Sequence, residues 1–334
     1  MAEDTRRRSP RVSVCIPTID RADLLREAIE SVAAQTFTDF EIVVADNSGS
    51  HDLQRKIDQV LAEFPRLDLV VKRQPSRVGP AENFNSLIDA ARGEFWVCLP
   101  DDDRLCPDFI ARALAALEAH QECAFTFADH WIIRADGTRD ETESANNTVR
   151  FGRHLLREGV YRHDQLFGIA LRQSMCLQTA MFRRSVIQTF RFLPGIMLLD
   201  QSLFVRMGVA DEPLCAYYID GRVFEYRIHG AQITATTRRA EMIRDQIAVF
   251  ETLRGIPRAY TRDVNAKLSR GYLALALTEA EEGSLPSARI DAAKSLRLAL
   301  SLRGALGALL VMAVPAGVPL ARRAYGWAAR FLGS

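Results

Sequence analysis

The sequence predicts an α/β fold: a mostly parallel sheet flanked by helices, with a helical extension at its C-terminal end. Three observations carry this reading. Short apolar runs rich in β-branched residues recur at 12–17, 41–46, 67–72, 94–99 and 123–131. Stretches of helical periodicity separate them, and strand alternating with helix is the pattern of a parallel sheet covered on both faces. After about Arg238 the chain reads as almost wholly helical.

Taken in order, the first helix follows from Leu24, Leu25, Ala28, Ile29, Val32 and Ala33 at helix spacing, with Asp20 before it as an N-cap. A second runs from Pro80 to about Ala91, with proline suited to its first turn, and a third follows Pro107. Residues 134–149 are polar and turn-rich, with Asp136-Gly137 and Asn146-Asn147, and read as a loop or hairpin excursion. Residues 213–227 read as one or two strands with Asp220-Gly221 as a turn.

Composition excludes several classes. With 48% hydrophobic and 25% charged residues the 334-residue chain is an ordinary globular sequence. A net charge of +1 removes the whole-molecule electrostatic case for a nucleic-acid partner. Six cysteines, at 15, 98, 106, 123, 176 and 215, form no C-x-x-C pair, so zinc and redox readings are weak and buried free thiols in a reducing, cytoplasmic setting are expected. The first eleven residues carry no apolar core of a secretory signal.

The densest chemistry is Leu99-Pro100-Asp101-Asp102-Asp103, at the end of an apolar run. Three adjacent carboxylates repel one another unless something positive sits among them. The carboxyl end of a parallel strand is where such sheets bind ligands. A divalent cation bridging carboxylate to diphosphate resolves the repulsion; a solvated acidic turn capping the next helix is the plainer alternative. Two other runs end on the same edge with polar groups: Pro17-Thr18, followed by Asp20-Arg21, and Asp46-Asn47-Ser48.

In order and spacing these segments, with Ser31-Val32-Ala33-Ala34-Gln35-Thr36-Phe37, Gly79-Pro80-Ala81-Glu82-Asn83-Phe84-Asn85 and Ala91-Arg92-Gly93-Glu94-Phe95-Trp96, resemble the donor-binding half of the family 2 glycosyltransferases. The resemblance covers about the first 130 residues closely and the next 100 more weakly. It implies a GT-A-type, Rossmann-like fold and inverting transfer from a nucleoside diphosphate sugar, UDP- or dTDP-linked, with Mn²⁺ or Mg²⁺ as cofactor. It also implies roles by position. Pro17, Thr18 and Arg21 would line the nucleotide, Asp46 would bind the base, and Arg77 and Asn83 would flank the donor. Asp101 would belong to the nucleotide-sugar site, Asp102 would face the ribose or sugar, and Asp103 would hold the metal through the D-x-D pattern Asp101–Asp103. Asn47 departs from the family, many members of which have an aspartate there.

Ile196-Met197-Leu198-Leu199-Asp200-Gln201 resembles the family's acidic motif before a helix, with Leu199 in place of the usual Glu. Asp200 would then be the base that takes the acceptor's proton; otherwise it caps that helix. The segment from Tyr226 to Thr234 resembles the one that closes the family's catalytic domain, where His229 would join the metal or touch the diphosphate and Arg227 would offset phosphate charge. A structural histidine is the alternative.

These expectations divide the chain into a catalytic domain at 1–235 and a helical extension at 236–334. Within the extension, 304–321 carries no charge and is followed by Tyr325, Trp327 and Phe331 among arginines. Pro315, Gly317 and Pro319 oppose a clean span, which leaves a membrane-surface anchor at 304–334, a helix packed on protein, or a true crossing. An anchor would place the enzyme peripherally on the cytoplasmic face, beside a glycan or lipid-linked acceptor. A sugar-nucleotide nucleotidyltransferase would also use carboxylate-bound metal, but the glycine-rich basic phosphate loop is missing at residues 16–20. A non-catalytic scaffold would have no need of clustered acids.

Overall fold

The computed structural model describes residues 9–229 and 239–298, with Ala305, Ala308 and Leu309 beyond them. Those up to Gly208, with Glu212–His229, form one compact unit; Val209–Asp211 and the described residues from Arg239 onward form a second. The reading of 304–334 as an anchor lies, those three residues apart, outside the described residues. Among them, no helix is long and apolar enough to cross a membrane.

The first unit begins with a parallel half-sheet. Strands β1 (Val12–Thr18), β2 (Phe40–Asp46), β3 (Leu69–Arg73) and β4 (Phe95–Cys98) lie in the order β3-β2-β1-β4, all parallel. Helices α1 (Ala22–Ala33), α2 (His51–Ala62) and α3 (Pro80–Ala90) connect them. The helical spacing has a direct cause in α1, where Leu25, Ala28, Ile29 and Val32 form the buried stripe. Ser50 caps α2 by accepting from Leu53 N–H at 3.4 Å, and Pro80 opens α3. The register sets Thr18 opposite Asp46, so both strands deliver polar groups to one edge.

Beyond β4 the sheet becomes mixed. A short β5 (Arg104–Leu105), α4 (Phe109–Ala119), β6 (Phe125–Ile133), α5 (Glu141–Arg150), β7 (Gly159–Arg162), α6 (His163–Leu171), β8 (Met181–Arg183), α7 (Arg184–Thr189), α8 (Leu199–Met207) and β9 (Cys215–Arg227) complete the unit. The order continues β4-β8-β6-β9-β5, with β7 on β9. Strands β6 and β9 are parallel, while β8 runs antiparallel to both its neighbours.

Three local expectations are corrected. Residues 141–150 form α5, not a loop. The helix lacks an apolar stripe and is held by polar bonds instead: Asp140 caps it through Glu143 N–H (3.0 Å), Ser144 Oγ accepts from Ile132 N–H (2.9 Å), and Thr148 donates to Asp129 (2.5 Å). Residues 220–221 do not reverse the chain. They are a bulge inside the continuous β9, which stays parallel to β6 on both sides of it. Asp20 does not cap α1. It sits in a left-handed conformation (φ 59°), pairs with Arg77 and accepts from Gly49 N–H at 3.4 Å.

One buried network ties the parallel half together. Glu41 on β2 is fully buried and accepts from Ser13 Oγ (2.5 Å), Arg92 N–H (2.7 Å) and Arg92 Nε (2.7 Å). Gly93 N–H closes the loop by donating to Ser13 Oγ at 2.8 Å. The backbones of Gly93 and Ser13 approach so closely that a Cβ on residue 93 would lie 2.6 Å from Ser13 N.

The second unit contains α9 (Arg239–Thr252), α10 (Thr261–Glu281) and α11 (Leu285–Leu298), as the helical reading expects. Small residues let α10 and α11 approach: Ala276, Ala288 and Ala292 are buried, and Ser269 and Ser295 exchange hydroxyl-to-carbonyl bonds at 3.0 and 2.8 Å.

The contact at Gly93 is with backbone, which cannot turn aside as a side chain does. Gly93→Ala is expected to cost about 1–3 kcal/mol, the range for overpacking a well-filled site. Urea unfolding checks this, and a midpoint equal to wild type would remove the close approach from the account.

Candidate active site

The three acidic residues follow β4 in a turn and are all buried. Each is held differently. Asp101 Oδ2 accepts from Thr18 Oγ1 at 2.7 Å and from Ile19 N–H at 3.3 Å. Asp102 lies between two nitrogen bases: Arg21 donates to its Oδ2 at 2.8 Å, and His229 Nε2 is 3.1 Å from the same oxygen. Asp103 Oδ1 accepts from Arg227 N–H at 2.8 Å, while its Oδ2 is buried and has no hydrogen-bond partner among the described residues. Burial, reinforced by the charge of Asp102, pushes Asp101 up to about 7 and Asp103 well above the usual carboxylate range.

Arg227 is the brace beneath this turn. Only 1% exposed, it donates Nε to Asp102 O (2.7 Å) and Nη1 to Ala135 O (2.9 Å), and it pairs with Glu27. The expectation that it offsets phosphate charge is therefore corrected: its guanidinium is spent inward on the protein. Sequence offers little warning of this, because an arginine at the end of a strand is ordinarily solvated.

A second group lies at the end of β2. Asp46 is fully buried, its Oδ1 accepting from Ser48 N–H at 2.9 Å and its Oδ2 facing Arg73 Nε at 3.5 Å. The amide of Asn47 both donates to and accepts from the backbone of Val78 at 3.0 Å, pinning the segment before α3. Asn83, in the first turn of α3, accepts from Gln74 at 3.1 Å. Ser48, Gly49, His51, Gln74 and Arg77 line an open cleft of ≈ 710 Å³ beside this group. Pro17 is buried at the end of β1, opposite Ala45. Arg77 pairs with Asp20.

Asp200 enters from the other half of the sheet. It lies in the first turn of α8 without capping it; its Oδ2 accepts instead from Leu177 N–H at 2.9 Å, across from another segment. Burial raises its pKa above the ordinary value, partly opposed by that bond and by the Cys176 thiol. Burial also raises the thiols of Cys98 and Cys176, and the charges of Asp200 and Asp103 push both further. The charges of Asp103 and Asp200 thus both act on the same two thiols. Cys176 and Leu177, which orient Asp200, carry no sequence signal for it. All six cysteines are free, five of them buried.

Among the described residues, no three His, Cys, Asp or Glu side chains converge to hold a metal ion by themselves. The donor chemistry nonetheless fits a cation shared with a ligand. A hard divalent ion takes one or two carboxylates and completes its shell with phosphate oxygens and water. Asp103 Oδ2, without a partner among the described residues, is such a donor, and His229 contacts the adjacent Asp102.

Comparisons with known proteins agree with this architecture. The glycosyl transferase family 2 model matches residues 13–190. The chain is 38% identical over 130 residues to a GalNAc(5)-diNAcBac-PP-undecaprenol beta-1,3-glucosyltransferase of Campylobacter jejuni, covering 38% of this chain and 40% of that one. It is 29% identical over 161 residues to a PGL/p-HBAD biosynthesis glycosyltransferase of Mycobacterium bovis, covering 48% and 62%. The chain thus spans less than two thirds of the length of either relative. In three dimensions it is similar to S. aureus TarS 1-349 in complex with UDP-GlcNAc, with a TM-score of 0.68 at 15% identity, over 95% of this chain and 92% of that one. It is also similar to the mannosyltransferase PcManGT of Pyrobaculum calidifontis in complex with GDP-Man and Mn²⁺, with a TM-score of 0.56 at 18% identity, over 96% and 88%. The likeness to these solved structures is one of GT-A fold, and the matched 13–190 segment, more than half the chain, makes the protein a member of glycosyl transferase family 2.

Proposed function

We propose that this protein transfers a sugar from a nucleoside diphosphate sugar to an acceptor hydroxyl, with inversion and with Mn²⁺ or Mg²⁺ bound. The observation that carries the reading is Asp103 Oδ2, buried and without a partner among the described residues, in the acidic turn that follows β4. A UDP- or dTDP-sugar is the donor. Its base lies beside Asp46, whose Oδ2 has only the long Arg73 contact to exchange. Pro17, Thr18 and Arg21 line the nucleotide, with Arg77 and Asn83 at its flank and Asp101 and Asp102 toward the ribose and sugar. Asp103 holds the cation and His229 adjoins it; when bound, the cation supplies positive charge to the departing diphosphate.

In this reading Asp200 accepts the acceptor hydroxyl's proton as that oxygen bonds to the anomeric carbon. The bond from that carbon to the diphosphate oxygen breaks on the opposite face, which inverts the centre. No covalent enzyme intermediate is required. Burial suits Asp200 to the task, since a raised pKa makes a carboxylate a stronger base. Residues 1–235 carry the reaction, and 236–334 form the helical extension. The acceptor is a glycan or lipid-linked glycan, met by an enzyme peripheral to the cytoplasmic face of a membrane.

A screen of nucleotide sugars by mass spectrometry, with and without chelator, tests the proposal. Chelator is expected to abolish transfer, and Mn²⁺ or Mg²⁺ to restore it. Asp103→Ala should weaken donor binding and lower turnover by about 10²–10³, as for loss of a group stabilising developing charge. Full activity in excess chelator would remove the metal from the reading.

Asp200→Asn should leave donor affinity unchanged and reduce turnover by about 10²–10⁴. The base works only when ionised, so wild-type turnover should fall as pH drops through the raised pKa of Asp200, placing the acidic limb above the ordinary carboxylate range. The variant should lose that limb. Near-normal turnover in Asp200→Asn would direct the search to Asp211, Glu212 and Asp164.

A further inference from the structure

Two strongly exposed apolar side chains of the first unit occupy a single knuckle of chain. Val149, near the end of α5, is 59% exposed and Leu155 is 66% exposed. Gly152, in a left-handed conformation (φ +69°), lies between them. Its N–H donates to Val149 O at 3.0 Å, and its carbonyl accepts from Leu155 N–H at 3.2 Å. Both side chains therefore project from one tight double turn.

This knuckle is anchored from beneath. Arg153 is buried, donates Nε to Asp129 at 2.5 Å and lies 5.3 Å from the Phe151 ring; Leu156 is buried as well. The exposure of Val149 and Leu155 thus belongs to a fixed turn. Ser174 Oγ donates to Phe151 O at 2.5 Å, linking the knuckle to the segment whose Leu177 N–H holds Asp200.

The rim of the knuckle is basic. Arg150, His154, Arg157 and Arg172 are all exposed, and a Cβ on Gly152 would lie 3.8 Å from Arg172 Nε. Arg150 has an acidic neighbour, Glu143 at 3.6 Å. Arg157 and Arg172 form no ion pair among the described residues. The nearby Glu158 is turned away, accepting from Tyr217 OH at 3.1 Å and Asp220 N–H at 3.4 Å. Scattered exposed apolar residues are ordinary. A pair in one turn, with Arg157 and Arg172 exposed nearby and outside any ion pair among the described residues, combines the two forces that hold a protein on an anionic bilayer: apolar insertion and attraction to lipid phosphate.

We propose that this knuckle, 149–157 with Arg172, docks the first unit on an anionic lipid surface. Val149 and Leu155 enter the headgroup layer, and Arg157 and Arg172 pair with phosphates. Its residues are none of those in the acidic turn or in 304–334, and its occupancy is read without turnover.

The test uses the full chain and co-sedimentation with two kinds of vesicle, phosphatidylcholine alone and phosphatidylcholine with about a third phosphatidylglycerol. Wild type is expected to bind the anionic vesicles in a salt-sensitive way and the neutral ones far less. Arg157→Ser with Arg172→Ser should weaken anionic binding about tenfold or more and flatten its salt dependence. Val149→Asp with Leu155→Asp should weaken it comparably, with thermal unfolding unchanged because both side chains are exposed. Leu155→Trp, read as a difference from wild type, should shift its emission to the blue on anionic vesicles alone. Binding with no such shift would mean that another segment holds the membrane and would overturn the proposal. So would equal binding to both vesicle types, absence of binding, or paired variants that bind as wild type does.

Discussion

Like-charge repulsion among Asp101, Asp102 and Asp103 is the constraint around which the first unit is arranged. Three carboxylates are buried in one turn, and burial alone penalises their ionised forms. The unit meets this from several elements at once. Thr18 comes from β1, Arg21 from the turn before α1, and Arg227 from the end of β9, where the backbone N–H serves Asp103 and the guanidinium serves the carbonyl of Asp102. His229 follows two residues later. The parallel and mixed halves of the sheet are thereby joined at the point where charge density is greatest. Asp103 Oδ2 is left buried and without a partner among the described residues, and such an atom is the kind of exception that marks a ligand position.

The same logic, with all its bonds made, operates at the opposite end of β1 and β2. Glu41 is as deeply buried as any acid in the chain, yet every contact around it is a donor: a hydroxyl, a backbone N–H and a guanidinium. Removing such a partner would leave a buried charge uncompensated, which explains why Arg92 and Gly93 stand where they do. One acid is saturated and serves register. The other cluster is under-satisfied, with Asp103 Oδ2 buried and without a partner among the described residues. The contrast lies in the partners, since both are buried carboxylates of the parallel half, one on β2 and the others in the turn after β4.

Polar bonds also govern the half of the unit that carries Asp200. Helix α5 is seated through Ser144, Thr148 and its Asp140 cap, and the chain beyond it is locked by Arg153 on Asp129. This leaves its outer surface free of structural duty, and there Val149, Leu155 and the unpaired arginines face solvent. Ser174 and Leu177 then carry the chain to Asp200.

Sequence by itself determined the parallel half of the sheet, the first-turn proline of α3, the helical second unit and the identity of the acidic turn. Each is written in a local pattern: β-branched runs, helical spacing, or adjacent like charges whose cost demands an explanation. Tertiary structure alone decided the rest. Helix α5 has no apolar period because its anchoring is through hydroxyls, so its polarity reads as loop. Asp220-Gly221 has turn composition, and only pairing with β6 on both sides makes it a bulge. Asp20 looks like a cap, but Arg77 and Gly49 capture it from distant segments. Arg227 looks like a surface cation, but three carbonyl and carboxylate acceptors from separate elements enclose it. Periodicity reports how a segment meets a continuous apolar face. It carries no record of a single polar partner supplied by a residue far along the chain, and it is such partners that place Asp103, Asp200 and Arg227.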